Sequence, residues 1–165
     1  MTPQQFIAYT KDEFKPGPTL CRLVPKDKLD WKPRENMFTF RELLHHLTSR
    51  TGIYGIVTGD WSPEKCWADA YDPKTVTPDI AVKRLGHAVD EIEKLLAGVK
   101  QVDWETKVVT LPWGMKGTME VICHGLIIAH FLNHKMQLFL YLKLIGLPVG
   151  TDTLYRGTPP GQGTA

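Results

Sequence analysis

His130 and His134 stand four residues apart in a stretch that otherwise runs apolar from Val121 to Leu142. On a helix that spacing stacks both imidazoles on one face, about 6 Å apart at Cβ. At 100° per residue, Cys123, Gln137 and Tyr141 fall within about 20° of His130, so one polar stripe crosses a greasy helix. A buried polar stripe is costly unless its members find partners. Either the stripe satisfies itself as a hydrogen-bond network, or it faces a bound ion or ligand.

Four further histidines compete for a place beside it: His45, His46, His87 and His124. Taking Leu43 as the zero of angle, Leu47, Tyr54, Phe40, Leu44 and Val57 define an apolar arc from about −40° to 100°. His46 falls at the edge of that arc, at about −60°, whereas His45 falls on the opposite side near 200°. Arg50, at about −20°, lies inside the arc. His87 shares a polar face with Arg84, Glu91 and Lys94 and reads as a solvated histidine, and His124 lies about 120° from His130. An inward-leaning His46 on one helix and an i, i+4 histidine pair on another are donors suited to a divalent metal.

Four helical segments must position these groups. Thr2-Pro3 is an N-cap followed by proline, and Pro16-Gly17-Pro18 breaks or kinks the helix that it opens. Thr39-Phe40-Arg41-Glu42 is a capping box before Leu43, Leu44 and Leu47, predicting a second helix to about Val57 that stops near Gly59. Thr77-Pro78 opens a third, with Ala81, Leu85, Ala88, Ile92, Leu95 and Val99 as its stripe. The fourth starts near Thr118 and ends at Gly146, with Pro148 beyond it. Val108 to Leu111 reads as a short strand at most. The pattern predicts an all-α four-helix bundle with long crossover connections at 25–38, 60–76 and 100–117. One domain over 1–150 is expected, with 151–165 as a C-terminal tail.

Composition narrows the function. Twenty Lys and Arg against eighteen Asp and Glu leave a formal charge of +2, with no basic tract for nucleic acid. The apolar stretch at 121–142 is too polar for a membrane span, and Lys11, Asp12, Glu13 and Lys15 leave no signal-peptide core. Cys21, Cys66 and Cys123 are odd in number and far apart, which points to a reducing cytoplasm.

Phe40-Arg41-Glu42-Leu43-Leu44-His45-His46-Leu47 resembles the E-L-L-x-H-L segment of the DinB/YfiT-like metalloproteins. His130-x3-His134-Lys135-Met136-Gln137-Leu138-x2-Tyr141-Leu142-x3-Gly146-x-Pro148 resembles that family's H-x3-H-R-G-Q-L-x2-Y-L-x3-G-x-P, and Leu29-Asp30-Trp31-Lys32-Pro33 its approach to helix two. The likeness covers 20–60 and 118–150 best. It implies a four-helix bundle, a homodimer, and a divalent ion, nickel or zinc, held by His46, His130 and His134. Two positions depart from the pattern: Lys135 and Met136 replace Arg and Gly, and Arg50 stands where relatives often carry an acidic group.

Three neutral imidazoles add no ligand charge, so an ion held by them keeps its full +2 and an open position. Such a centre ionises a bound thiol and brings bound water to a pKa of about 7. Some relatives are thiol S-transferases or thiol-dependent isomerases, and that is the leading expectation here, with a small-molecule substrate and a low-molecular-weight thiol. Metal-dependent hydrolysis and non-catalytic binding of a metal or small ligand are the alternatives. Arg50 would hold a carboxylate of the thiol cofactor or substrate, or else pair with a carboxylate such as Glu42. Gln137 would hold water or orient a ligand, whereas Tyr141 reads as a packing residue with a satisfied hydroxyl.

Two surfaces remain to be explained. Trp31, Trp61, Trp67, Trp104 and Trp113 all fall in or beside the connections, where they either cap core ends or wall a pocket mouth. A second apolar stripe on helix four, Ile128, Leu132, Phe139 and Leu142, needs a cover. The connections at 60–76 and 100–117 would provide it, or a second chain through a two-fold axis.

Overall fold

Each of the four helical segments opens at a threonine. Thr2, Thr39, Thr77 and Thr118 accept hydrogen bonds from the backbone N–H groups of Gln5, Glu42, Ile80 and Val121, satisfying donors that a helix start leaves open. Gln5 and Glu42 in turn accept from the backbone N–H of Thr2 and Thr39, completing two capping boxes. The computed structural model describes residues 1–67 and 72–162, apart from the Pro73 side chain. Residues 68–71 of the 60–76 connection and 163–165 of the tail lie outside it.

The elements are α1 (Pro3–Phe14), α2 (Gly17–Arg22), α3 (Phe40–Leu47), α4 (Ile53–Thr58), α5 (Pro63–Cys66), α6 (Pro78–Leu96), α7 (Gln101–Thr106), β1 (Val108–Thr110), β2 (Lys116–Thr118), α8 (Met119–Cys123), a π-helical turn (His124–Ala129), α9 (His130–Leu144) and α10 (Thr151–Arg156). Together, α1 with α2, α3 with α4, α6, and α8 through α9 form the four columns of an all-α bundle. The first column packs on α6, α3 packs on α6 and α9, and α4 packs on α6 and α8. Phe6, Leu20, Phe40, Leu43, Leu44, Ile92, Leu138 and Leu142 are buried between them, each favouring the fold by about 1.5–3 kcal/mol. No helix among the described residues is long and apolar enough to cross a membrane.

The second column departs from the expected single helix to Val57. It breaks after Leu47 because Gly52 takes a left-handed φ of +70°, a conformation that an α-helix cannot continue through and that glycine adopts without penalty. A Cβ there would meet the Trp67 ring at 2.7 Å, and one at Gly55 would collide with Trp61. These two glycines therefore let the indoles lie against the start of α4.

The fourth column runs unbroken from Met119 to Leu144, but through a π-turn. One extra residue per turn displaces the faces before and after it by about 100°. Cys123 is consequently not on the histidine stripe but fully buried in the core. His124 meets the ring of Phe6 edge-on, with centroids 5.1 Å apart. Val108–Thr110, a strand at most by sequence, does pair with Lys116–Thr118 as a small antiparallel hairpin.

Ile128, Phe139 and Leu142 are buried within the chain itself, and Leu132 packs against the same core, since α9 contacts α2, α3 and α10. Three of the four stripe residues are thus buried within one chain, and Leu132 is half-buried. Lys135 is 3% exposed, with Nζ 3.2 Å from Glu13 Oε2, and ties α9 to α1. Beyond residue 150, α10 buries Thr153 and Leu154, and Thr19 Oγ1 donates to the Gly157 carbonyl at 2.7 Å.

Glu42 supplies a pH test of the second column's start. The N–H of Thr39 and its hydroxyl hold the Glu42 carboxyl below the ordinary carboxylate range. A lowered folded-state value gives stability that is present above the unfolded pKa of about 4.3 and is lost as pH falls through the folded one. Glu42→Gln should cost about 0.3–1 kcal/mol at pH 7. Its urea midpoint should also fall less than that of the wild type between pH 5 and 3.

Candidate metal centre

His46 leaves α3 one residue before its last, and His130 and His134 occupy the first and second turns of α9. Packing of α3 on α9 brings the three rings together, with centroids 4.4–4.8 Å apart and steeply inclined to one another. One ring nitrogen from each lies within 4.8 Å of the others. His46 Nε2 and His130 Nε2 face each other at 3.1 Å. Two histidine nitrogens on a tetrahedral zinc ion, bonded at 2.0–2.1 Å, stand about 3.3 Å apart. The donor set therefore fits a divalent cation with small adjustment of the third ring.

Electrostatics favour the neutral, ligating form. Burial first, then the neighbouring imidazoles His134 and His46, push His130 down to about 4. Burial also lowers His46, helped by His134 and His45. The third ring is oriented by a relay: His134 Nδ1 lies 3.0 Å from Gln137 Oε1, and Gln137 Nε2 donates to the Tyr141 hydroxyl at 3.2 Å. With Nδ1–H donated to the amide, Nε2 is the nitrogen left with a lone pair. Tyr141 is itself buried and packed edge-on against Trp31 and Phe40. Gln137 and Tyr141 lie beyond the π-turn, so the sequence phase that put them beside His130 holds.

The other histidines do not join the cluster. His45 points away, its Nδ1 3.1 Å from Arg84 Nη1, and burial followed by that guanidinium lowers its pKa. Arg84, read from sequence as part of a polar face, is buried, because α3 packs on α6 at this level. His87 is exposed and His124 lies against Phe6 and Tyr9.

Arg50 is placed differently from its helical-phase position, since the chain has left α3 before reaching it. Nη2 is 2.7 Å from Glu91 Oε1, and Nη1 donates to the Glu64 carbonyl at 3.2 Å. Its carboxylate partner is thus Glu91, not Glu42, which is committed to the capping box. Arg50, His46 and His130 share the wall of a cavity of about 350 Å³ with Trp67 and Trp113. The two indoles continue a stack that starts at Trp61, with centroids 6.1 and 6.2 Å apart. Trp31 and Trp104 instead pack in or against the core. Sequence reasoning left the roles of the tryptophans open and passed over Phe38, whose ring lies 5.4 Å from that of His46. Gly52 and Gly55 were the available signal for the indole seat.

A four-helix bundle with three histidines converging between two of its columns defines the class of this protein. The chain belongs to the DinB superfamily, whose model matches residues 18–139. The fold is also that of a DinB-like protein of Bacillus subtilis, YjoA, known from its crystal structure. The two are 18% identical, with a TM-score of 0.67 over 88% of this chain and 96% of that one. A comparison with curated proteins returns no match.

Substitution separates the cluster from its neighbours. His46→Ala, His130→Ala and His134→Ala should each weaken binding of nickel or zinc by more than about 100-fold, measured by metal analysis and calorimetry on protein without a histidine tag. His45→Ala, His87→Ala and His124→Ala should keep it, and Gln137→Ala should cost roughly 10–100-fold. Retention in His46→Ala with loss in His45→Ala would reverse the assignment.

Proposed function

We propose that His46, His130 and His134 hold a divalent ion, nickel or zinc, and that this protein is a metal-dependent enzyme using a low-molecular-weight thiol, either an S-transferase or a thiol-dependent isomerase. The observation that carries the reading is the convergence of three imidazoles, with no carboxylate among them, beside a cavity. Bound there, a divalent ion would supply the positive charge that favours a thiolate over a thiol at neutral pH.

The chain's own groups have separable tasks in this reading. Gln137, held by Tyr141, fixes the tautomer of His134. Arg50, bonded through both terminal nitrogens, keeps about a third of its side chain exposed, and that exposed part is where a carboxylate of the thiol would approach. Glu91 balances its charge meanwhile. Hydrolysis is the alternative, in which water activated by the ion would serve as nucleophile. Among the described residues no carboxylate lines the cavity. A purely structural metal site would be closed by a fourth protein ligand, whereas among the described residues the cluster has three donors and borders a cavity. Three free, buried cysteines suit a reducing compartment such as the cytoplasm.

Protein loaded with nickel or zinc should couple monochlorobimane to one of bacillithiol, mycothiol or glutathione at least about tenfold faster than the uncatalysed reaction, and His130→Ala should abolish the gain. The loaded protein should also melt at a higher temperature than the metal-free form, since the ion would tie α3 to α9. Metal bound with no turnover of any of the three thiols would overturn the transferase reading.

A further inference from the structure

The cavity beside the histidines has a chemical character that the metal reading does not require. Its wall is built largely from Leu47, Leu126, Ile127, Phe131, Trp67 and Trp113. Most polar groups on it are already engaged. Thr48 Oγ1 donates to the Leu44 carbonyl, Ser49 Oγ to the His46 carbonyl, and Arg50 to Glu91 and the Glu64 carbonyl. The positive charge on Arg50 is matched by Glu91, so among the described residues the wall presents no uncompensated charge. Apart from the Thr51 hydroxyl, buried without a partner, what remains for a ligand is apolar surface and the imidazole edge of His46 and His130.

Two of the wall residues are large aromatics left open to solvent, Trp67 at 39% and Trp113 at 59%. They come from separate segments, one just after α5 and the other in the β1–β2 turn, yet their centroids are 6.2 Å apart and Trp61 backs them at 6.1 Å. Glycine at 52 and 55 is what admits this stack. A ring entering between the indoles and the aliphatic wall would cover surface that the fold otherwise leaves wet. The volume, about 350 Å³, lies at the low end for ligand pockets and suits a small molecule.

We infer that the second ligand of this site is a small, uncharged aromatic molecule, whose ring lies in the Trp67–Trp113 cavity with its polar head at His46 and His130. This rests on the proposed metal centre, with the thiol entering at the solvent-exposed edge of Arg50.

Two measurements separate the cavity from the metal. On zinc-loaded protein, benzohydroxamate and acetohydroxamate share one metal-binding head and differ in the ring. Calorimetry should find the aromatic compound at least about tenfold tighter. Trp67→Ala and Trp113→Ala should reduce that preference several-fold, with zinc affinity little changed. On metal-free protein, p-cresol should move the indole N–H signals of Trp67 and Trp113 in nuclear magnetic resonance spectra and leave those of Trp31 and Trp104 in place. Equal hydroxamate affinities, a preference unaltered in both tryptophan variants, or indole signals that p-cresol does not move would each overturn the inference. Failure to load zinc, with p-cresol still moving Trp67 and Trp113, would remove the metal centre and leave the aromatic cavity standing.

Discussion

Three imidazoles brought within 4.8 Å of one another are a constraint to which much of this bundle answers. Partly buried and edge to edge, they cannot all satisfy one another, because the rings meet at steep angles and His134 Nδ1 is turned to Gln137. Holding them there takes rigid supports on both sides. Phe40, Leu43, Leu44 and Leu47 anchor α3, and Phe131, Leu138 and Leu142 anchor α9. Lys135 adds a part-buried ion pair to Glu13 on α1. Lysine makes that bond with one ammonium point charge, so arginine's fork is not needed at this position.

The break between α3 and α4 links the cluster to its cavity. Had α3 continued, the space beside His46 would be filled by another turn of helix. Instead the chain leaves α3 at Thr48, and Arg50 crosses to Glu91 on α6. Gly52 starts α4 in a new direction, and the absence of side chains at Gly52 and Gly55 makes room for Trp61 and Trp67. One interruption thus opens the cavity, sets the arginine on its rim and seats the indole stack. The π-turn before His130 has the complementary effect on the other column. It sends Cys123 to the core while leaving the histidine face aimed at α3. Such turns recur where a helix must present a functional side chain off its regular phase.

Much of this was legible in the residues. The caps at Thr2, Thr39, Thr77 and Thr118 mark helix starts because a local hydroxyl-to-amide bond needs only its own first turn. His130 could be paired with His134 because helical phase within one unbroken element is a local property, whereas setting His46 beside them rested on the family resemblance as well as on phase. Gln137 and Tyr141 follow His130 in the same α-helix, and their relay with His134 matches that phase.

What phase could not deliver lies wherever an element changes its period or meets another element. The break at Gly52 moved Arg50 off the face computed for it. The π-turn removed Cys123 from the stripe, and neither event leaves a periodic trace in a hydropathy pattern. Arg84 finding His45, Arg50 finding Glu91, and Trp67 meeting Trp113 are contacts between segments 39, 41 and 46 residues apart in the chain. Ile128, Leu132, Phe139 and Leu142 read as a stripe in want of a cover, and three of the four are buried within the chain. The sequence by itself determined the helix starts, the apolar faces and the pairing of His130 with His134, because each depends on neighbours within a few turns. Only the tertiary structure decided which arginine meets which carboxylate, where the cavity opens and which tryptophans wall it, because those depend on how columns pack across the bundle.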